Sequence, residues 1–92
     1  MIFLKKIKND IFKILPLKEE SNSGLSDYID SVSVQLNGAI HTYPFLSEDI
    51  DYLTVINVIN YLKNNDFSTK QCKREVFKCL DVLTKIADKY EW

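Results

Sequence analysis

The side chains that could do chemistry in this sequence are few and lie far apart. Cys72 and Cys79 are the only cysteines. On one helix their seven-residue spacing puts them about 10 Å apart on the same side, too far for a mutual disulfide. Both fall on an apolar stripe, so we expect two buried thiols and a reducing cytoplasm. His41, the single histidine, has no Ser, Cys or carboxylate partner at a recognisable spacing.

Paired carboxylates are the remaining candidates for acid–base chemistry. Glu48-Asp49 and the pair Asp27 and Asp30 are expected to be exposed, whereas an acid–base pair needs one carboxyl with a pKa raised by burial. The sequence also contains no Gly-rich phosphate loop, HExxH, nucleophile elbow or calcium loop. We therefore expect no catalytic, cofactor-binding or metal-binding residue, and no enzymatic activity.

The element that organises the rest of the chain is a predicted helix over residues 47–64. One broad face is apolar: Tyr52, Val55, Ile56, Val58, Ile59 and Leu62. Ser47 is the expected N-cap, with acidic residues in the first turn where the helix dipole favours them. A strand is the competing interpretation, because Thr-Val-Ile-Asn-Val-Ile is rich in β-branched residues.

The opposite face of this helix is polar but uncharged, and it has two interpretations. Its members are Thr54, Asn57, Asn60, Tyr61 and Asn64, with Ile50 and Leu53 among them. It could be solvated or make polar contacts between helices. It could also be a contact surface, since amides and a phenol cost less to desolvate than Lys or Glu.

The segments before the central helix predict two further helices. Residues 2–15 form an amphipathic pattern that ends at Pro16, followed by a polar loop over residues 17–24. In residues 25–41 a helical stripe competes with a β-hairpin around Asn37-Gly38, a favoured type I′ turn. We predict the helix because its stripe is longer, although Gly38 costs it about 1 kcal/mol.

The last predicted helix covers residues 68–90, with a capping box in which Ser68 caps the helix and Gln71 reaches back. Trp92 either folds back onto the core or protrudes. Four helices with short connections predict one all-α domain over residues 1–92, an antiparallel up-down four-helix bundle. The alternative is an α+β fold with the hairpin around Asn37-Gly38.

Charge is distributed unevenly along the chain. Residues 1–18 carry five lysines and one aspartate, residues 19–66 carry eight acidic residues and one lysine, and residues 67–92 carry six basic and four acidic residues. The acidic middle predicts either simple solubility and pairing within the fold or a docking surface for a basic partner. Nucleic acid is not expected as a partner, because the lysines of the first helix lack interleaved exposed aromatics.

The sequence resembles the small α-helical immunity proteins of bacterial toxin systems, including those of contact-dependent growth inhibition, colicins and bacteriocins. The resemblance is carried by size, helix count and charge, and by stretches such as residues 47–53, SEDIDYL, and 79–83, CLDVL. It implies a cytoplasmic protein that neutralises a cognate toxin with a basic surface, such as a nuclease, by occluding its site. The expected partner-binding residues are Asp27, Asp30, Glu48, Asp49, Asp51, Tyr52, Asn57, Asn60 and Tyr61.

Two alternatives belong to other functional classes. The first helix could lie on an anionic membrane surface through Lys5, Lys6, Lys8 and Lys13, as in bacteriocin immunity. The bundle could instead self-associate through the Asn/Tyr face as a structural or regulatory protein, and its oligomeric state stays open. No segment is apolar and long enough to span a membrane, and we expect no secretion signal.

Overall fold

The computed structural model describes the backbone of residues 2–92 and the side chains of residues 3–92. Its helices are α1 (Ile2–Phe12), α2 (Ile14–Glu19), α3 (Leu25–Thr42), α4 (Ile50–Asn64) and α5 (Thr69–Tyr90), with a 3-10 helix at Pro44–Glu48. Because α1 and α2 are separated only by Lys13, we count them as one interrupted helix of the bundle, and we call each of the four units (α1–α2, α3, α4 and α5) a rod. The described residues form a four-helix bundle without strands. The predicted fold class is confirmed.

Each rod packs against the rods before and after it in the sequence, and α5 closes the ring against α1 and α2. Contacts between side chains show that these neighbours are antiparallel. Lys8 contacts Thr84 and Phe12 contacts Phe77 across α1 and α5. Ser33 bonds Asn60 across α3 and α4. The molecule therefore has the up-down topology, 36 Å long and 21 Å across.

The core is aliphatic, with Tyr52 as its largest fully buried side chain. The buried members of α4 are Tyr52, Val55, Ile56, Val58, Ile59 and Leu62, as its pattern predicts. The amphipathic patterns of the other helices are also confirmed by burial of Leu4, Ile7, Ile11, Ile14 and Leu15, of Ile29, Val32, Leu36 and Ala39, and of Cys72, Val76, Cys79, Leu83 and Ile86. Val34, which does not belong to the α3 pattern, is exposed. Apolar periodicity therefore identified the buried faces correctly.

α3 runs through Asn37 and Gly38, so the hairpin alternative is wrong. Nothing lies within 4 Å of where a Cβ on Gly38 would stand, and the residue is exposed. The helix tolerates this glycine because the long apolar stripe on its other side is buried against the bundle.

Three predicted boundaries are wrong. Pro16 lies inside α2, near its first turn, where an amide has no carbonyl partner to lose. The loop after it therefore begins at Glu20, not at residue 17. Ser47 lies in the 3-10 helix and donates to the Pro44 carbonyl, so Asp49 caps α4 instead.

At the start of α5, half of the predicted capping box forms. Ser68 Oγ accepts from the Gln71 amide at 3.0 Å. The Gln71 side chain does not reach back, because its Nε2 donates to the Tyr61 hydroxyl of α4 at 3.1 Å. The side chain that sequence assigned to a local cap thus joins two helices.

Candidate functional site

The outward side of α4 carries no charged side chain over about three turns. We define the α4 face as Ile50, Leu53, Thr54, Asn57 and Tyr61, which repeat at helical spacing. Ile50 is 78% exposed and Tyr61 45% exposed. Since charged residues normally dominate exposed helix surfaces, an uncharged face with exposed apolar side chains is a candidate contact surface.

The two charged residues of α4 are used within the fold beside this face. Asp51 Oδ2 lies 3.2 Å from Lys89 Nζ of α5. Lys63 Nζ lies 2.8 Å from Asp30 Oδ1 of α3. Both charged side chains of α4 therefore form ion pairs with the neighbouring helices α3 and α5, and the solvent-facing side of α4 is left without charge.

The predicted polar contacts of α4 divide into two kinds. Asn60 accepts from Ser33 Oγ at 3.0 Å and so joins α4 to α3, which fits the interhelical interpretation. Asn57 is exposed, and Tyr61 is exposed although its hydroxyl accepts from Gln71. Asn57 and Tyr61 are therefore accessible to a partner, whereas Asn60 is partly occupied.

Two hollows border the α4 face. One of about 450 Å³ lies at its N-terminal end, between Phe45, Glu48, Ile50 and the Lys89–Tyr90 segment. The other, of about 350 Å³, follows the α4–α5 groove and is lined by Thr54, Asn57, Val58, Tyr61, Gln71, Glu75 and Lys78. Both offer concave surface beside exposed apolar side chains, the shape that binding sites favour.

The carboxylate of Asp49 is buried at the N-terminal end of the face, with only 1% of the side chain exposed. Its Oδ1 accepts from the Tyr52 amide at 2.9 Å and so caps α4. Its Oδ2 accepts from Lys89 Nζ at 2.9 Å and from the Tyr90 hydroxyl. The prediction that Asp49 is exposed and opposes a partner is wrong, because the fold itself uses both of its oxygens.

The same contacts shift the pKa values of Asp49, Lys89 and Tyr90. Burial by itself would raise the pKa of Asp49, but the hydrogen bonds from Lys89, Tyr90 and the Tyr52 amide outweigh it and lower that pKa. The hydrogen bond to Asp49 raises the pKa of Lys89 and the pKa of Tyr90. At neutral pH Asp49 is therefore a carboxylate and Lys89 an ammonium, while Tyr90 keeps its hydroxyl proton.

Tyr52 is fully buried, and its hydroxyl donates to the Leu36 carbonyl of α3. Burial raises the pKa of this phenol. The prediction that Tyr52 contacts a partner is wrong for the folded protein, because the side chain lies in the core and joins α4 to α3.

The predicted acidic residues do not gather into one patch. Glu48, Asp49 and Asp51 lie at the end of the bundle where α4 begins. Asp30 pairs with Lys63, twelve residues further along α4, which corresponds to about 18 Å of helix. Asp27 is exposed in the first turn of α3, near the same far end. The uncharged α4 face lies between the two acidic groups.

A second feature was not predicted as a site. Phe12 of α1 and Phe77 of α5 are 46% and 42% exposed, with ring centroids 6.3 Å apart. They lie where the two basic parts of the chain run side by side. The only signal in the sequence was that both residues deviate from the apolar stripes of their helices.

Residues with other chemistry are accounted for by the fold. Cys72 and Cys79 are free and buried, and burial raises the pKa of Cys79 to about 12. Within residues 2–92 no three His, Cys, Asp or Glu side chains are grouped as a metal site. None of the helices described has the length and apolarity required to cross a membrane.

Sequence reasoning missed Gln71 and Glu75, which line the α4–α5 groove. Both belong to α5, and only the packing of α5 against α4 places them beside Asn57 and Tyr61. No local pattern could have indicated this. Comparison of the chain with protein-family models, with curated proteins and with solved structures gives no match.

Proposed function

We propose that this protein acts by binding another protein through the α4 face, and that its partner is a cognate bacterial toxin which it neutralises. The observation that carries the proposal is the uncharged outer side of α4, with Ile50 and Tyr61 exposed on it. Such a surface loses little hydration on contact, and its apolar members gain from burial.

Charge at both ends of the face favours a basic partner. Glu48 is exposed in the 3-10 helix and Asp27 in α3, and neither has an ion-pair partner within the described residues. These carboxylates would oppose the lysines and arginines of a nuclease's substrate-binding surface. They would speed encounter in a salt-dependent way, while the neutral face supplies the close contacts.

The immunity role itself rests on the resemblance in size, helix count and charge. Occlusion would be the mechanism: the α4 face and its two hollows would cover the toxin's substrate-binding surface. Tyr61 would act as the main anchor, since Tyr is among the residues that dominate binding energy at interfaces. Ile50 and Leu53 would add buried apolar area beside it.

The test uses the full-length chain as bait in a lysate of its own source cells. We expect one basic protein to be captured at low salt and released at high salt. That protein, expressed alone, should arrest growth, and co-expression of the wild-type chain should restore it.

A double variant, Ile50→Lys with Leu53→Lys, should lose both capture and rescue. The control is Val34→Lys, which places lysine at an exposed apolar site on α3, outside the α4 face. If the double variant still restores growth, the α4 face is not the toxin-binding surface. A captured protein that does not arrest growth would remove the immunity role.

A second candidate, binding to an anionic membrane surface, is favoured by the Phe12–Phe77 pair. Aromatic side chains next to lysines suit the headgroup region of a bilayer. Lys8 of α1 and Thr84 of α5, hydrogen-bonded at 3.0 Å, lie along the same α1–α5 seam. Cosedimentation with vesicles of half anionic lipid at low salt should capture the wild-type chain and not Phe12→Ser/Phe77→Ser. Equal sedimentation of both proteins would exclude this surface.

A further inference from the structure

The α4–α5 groove contains a carboxylate that is only weakly paired. Glu75 is 19% exposed, and its nearest cation is the adjacent Arg74, whose Nε lies 3.4 Å from Glu75 Oε1. In the described residues this is its only ion pair. A carboxylate with restricted access to water gains from a well-placed cation more than an exposed one does.

Apart from Glu75 and Lys78, the groove is lined by Val58 and by neutral polar side chains whose oxygens can accept hydrogen bonds. The Thr54 hydroxyl donates its proton to the Ile50 carbonyl, so the lone pairs of Thr54 Oγ1 remain free to accept a hydrogen bond. Tyr61 OH and the Asn57 amide lie on the same wall. Planar guanidinium carries five N–H donors in a fixed fork, so a surface with several acceptors near one carboxylate fits it better than a single-point ammonium.

We propose that the groove binds an arginine side chain of the partner protein, with Glu75 as its counter-ion and Asn57 and Tyr61 as hydrogen-bonding neighbours. This deepens the proposed function, on which it rests, by naming the chemical group that is recognised. A volume of about 350 Å³ accommodates one arginine side chain with room for water. The apolar part of that side chain would lie against Val58.

Lys78 lines the same groove and is the competing cation. Among the described residues its ammonium forms no ion pair within 4 Å. An incoming guanidinium would be repelled by it at close range. Replacing Lys78 should therefore strengthen arginine binding, whereas replacing Glu75 should weaken it.

The test needs no partner protein. N-acetyl-arginine methylamide is titrated into the 15N-labelled chain, and the isosteric but uncharged N-acetyl-citrulline methylamide serves as the matched probe. We expect saturable shifts of the Asn57 and Gln71 side-chain amides and of the Tyr61 backbone amide with the arginine probe only. Glu75→Gln should weaken binding at least tenfold, Lys78→Gln should strengthen it, and Glu19→Gln, an exposed site on α2, should leave it unchanged.

Equal shifts with the two probes, or undiminished binding to Glu75→Gln, would overturn the arginine site. The spectrum of each variant also reports whether it is folded. Because no toxin is present, failure here leaves the α4 face and its growth test standing. Failure of the growth test would in turn leave the arginine site to be judged by the titration alone.

Discussion

Asp49 connects three parts of the chain through one buried side chain. It caps α4, and it holds the end of α5 through Lys89 and Tyr90. Its neighbours along the sequence, Glu48 and Asp51, are more exposed, although all three looked equivalent in the sequence. The difference arises because only Asp49 is buried with both carboxylate oxygens bonded, whereas Asp51 pairs with Lys89 at the surface.

Replacing Asp49 with alanine should destabilise the protein by about 2 kcal/mol, since the cap and two side-chain hydrogen bonds are lost. Asp49→Asn is the matched control: asparagine caps equally well, so we expect less than half of that loss. Urea unfolding followed by circular dichroism measures both. If the two variants are equally unstable, the cap is not the main contribution of this residue.

Acid should reduce the stability that the Asp49 carboxylate contributes. The lowered pKa of Asp49 means that the fold favours its carboxylate, so this stability is present above the ordinary pKa near 4 and is lost as the pH falls through the folded value. We expect the difference in Tm between the wild type and Asp49→Asn to shrink below about pH 4. A difference that stays constant from pH 7 to pH 2.5 would contradict the contribution of the charge.

At the scale of elements, a segment is helical because its apolar face is buried, even where it contains a glycine or a proline. α3 includes Gly38, α2 includes Pro16, and both remain helical because their apolar sides are packed. The break between α1 and α2 at Lys13 follows from the same proline. Its nitrogen cannot donate to the carbonyl four residues earlier, which is that of Phe12.

Gly38→Ala should stabilise the protein by about 0.5–1 kcal/mol, because alanine restricts the unfolded chain and its methyl group meets open space. Thermal unfolding should show a Tm about 4 °C higher. Gly24→Ala is the control, since a Cβ there would lie 3.1 Å from Asn22 Oδ1. A Tm gain at Gly24 equal to that at Gly38 would refute this explanation.

At the scale of the whole molecule, the aromatic cluster closes one end of the bundle. Trp92 lies 5.5 Å from Tyr43, 5.5 Å from Phe45 and 5.4 Å from Tyr90, measured between ring centroids. Its amide donates to the Ala87 carbonyl after Glu91 adopts a left-handed conformation, which turns the chain back. The end of α5 is thus joined to the segment that leads into α4.

Trp92→Ala should cost about 1–2 kcal/mol, since three aromatic contacts and their buried area are lost. Phe12→Ala is the control at an exposed aromatic residue that, among the described side chains, contacts one other ring, Phe77, and it should cost less than half as much. Urea unfolding monitored by circular dichroism compares them. Equal costs would show that the cluster does not hold this end together.

The bundle also arranges charge on the scale of the molecule. The basic helices α1–α2 and α5 are neighbours on one side of the bundle. On the other side, α3 carries Asp27 and Asp30, and α4, in which Asp51 and Lys63 balance each other, is preceded by Glu48 and Asp49. Two opposite sides of the protein therefore differ in sign. The acidic side includes the α4 face, and the basic side includes the Phe12–Phe77 pair.

The sequence by itself determined the helices and their buried faces, because apolar periodicity is a local property and burial in a bundle follows it directly. It also identified the neutral side of α4, whose members follow one another along a single helix. Ser68 was found as a cap for the same reason, since its partner lies three residues away.

Only the tertiary structure decided which of these residues can meet a partner. Asp49 and Tyr52 became internal because α5 and α3 cover them. The acidic residues separated because α3 and α4 run antiparallel, which sends Asp30 and Asp51 to opposite ends. Glu75 joined Asn57 in one groove through the register between α4 and α5. Each of these outcomes depends on contacts between residues distant in sequence, and no local pattern encodes which helices become neighbours or at what register they pack.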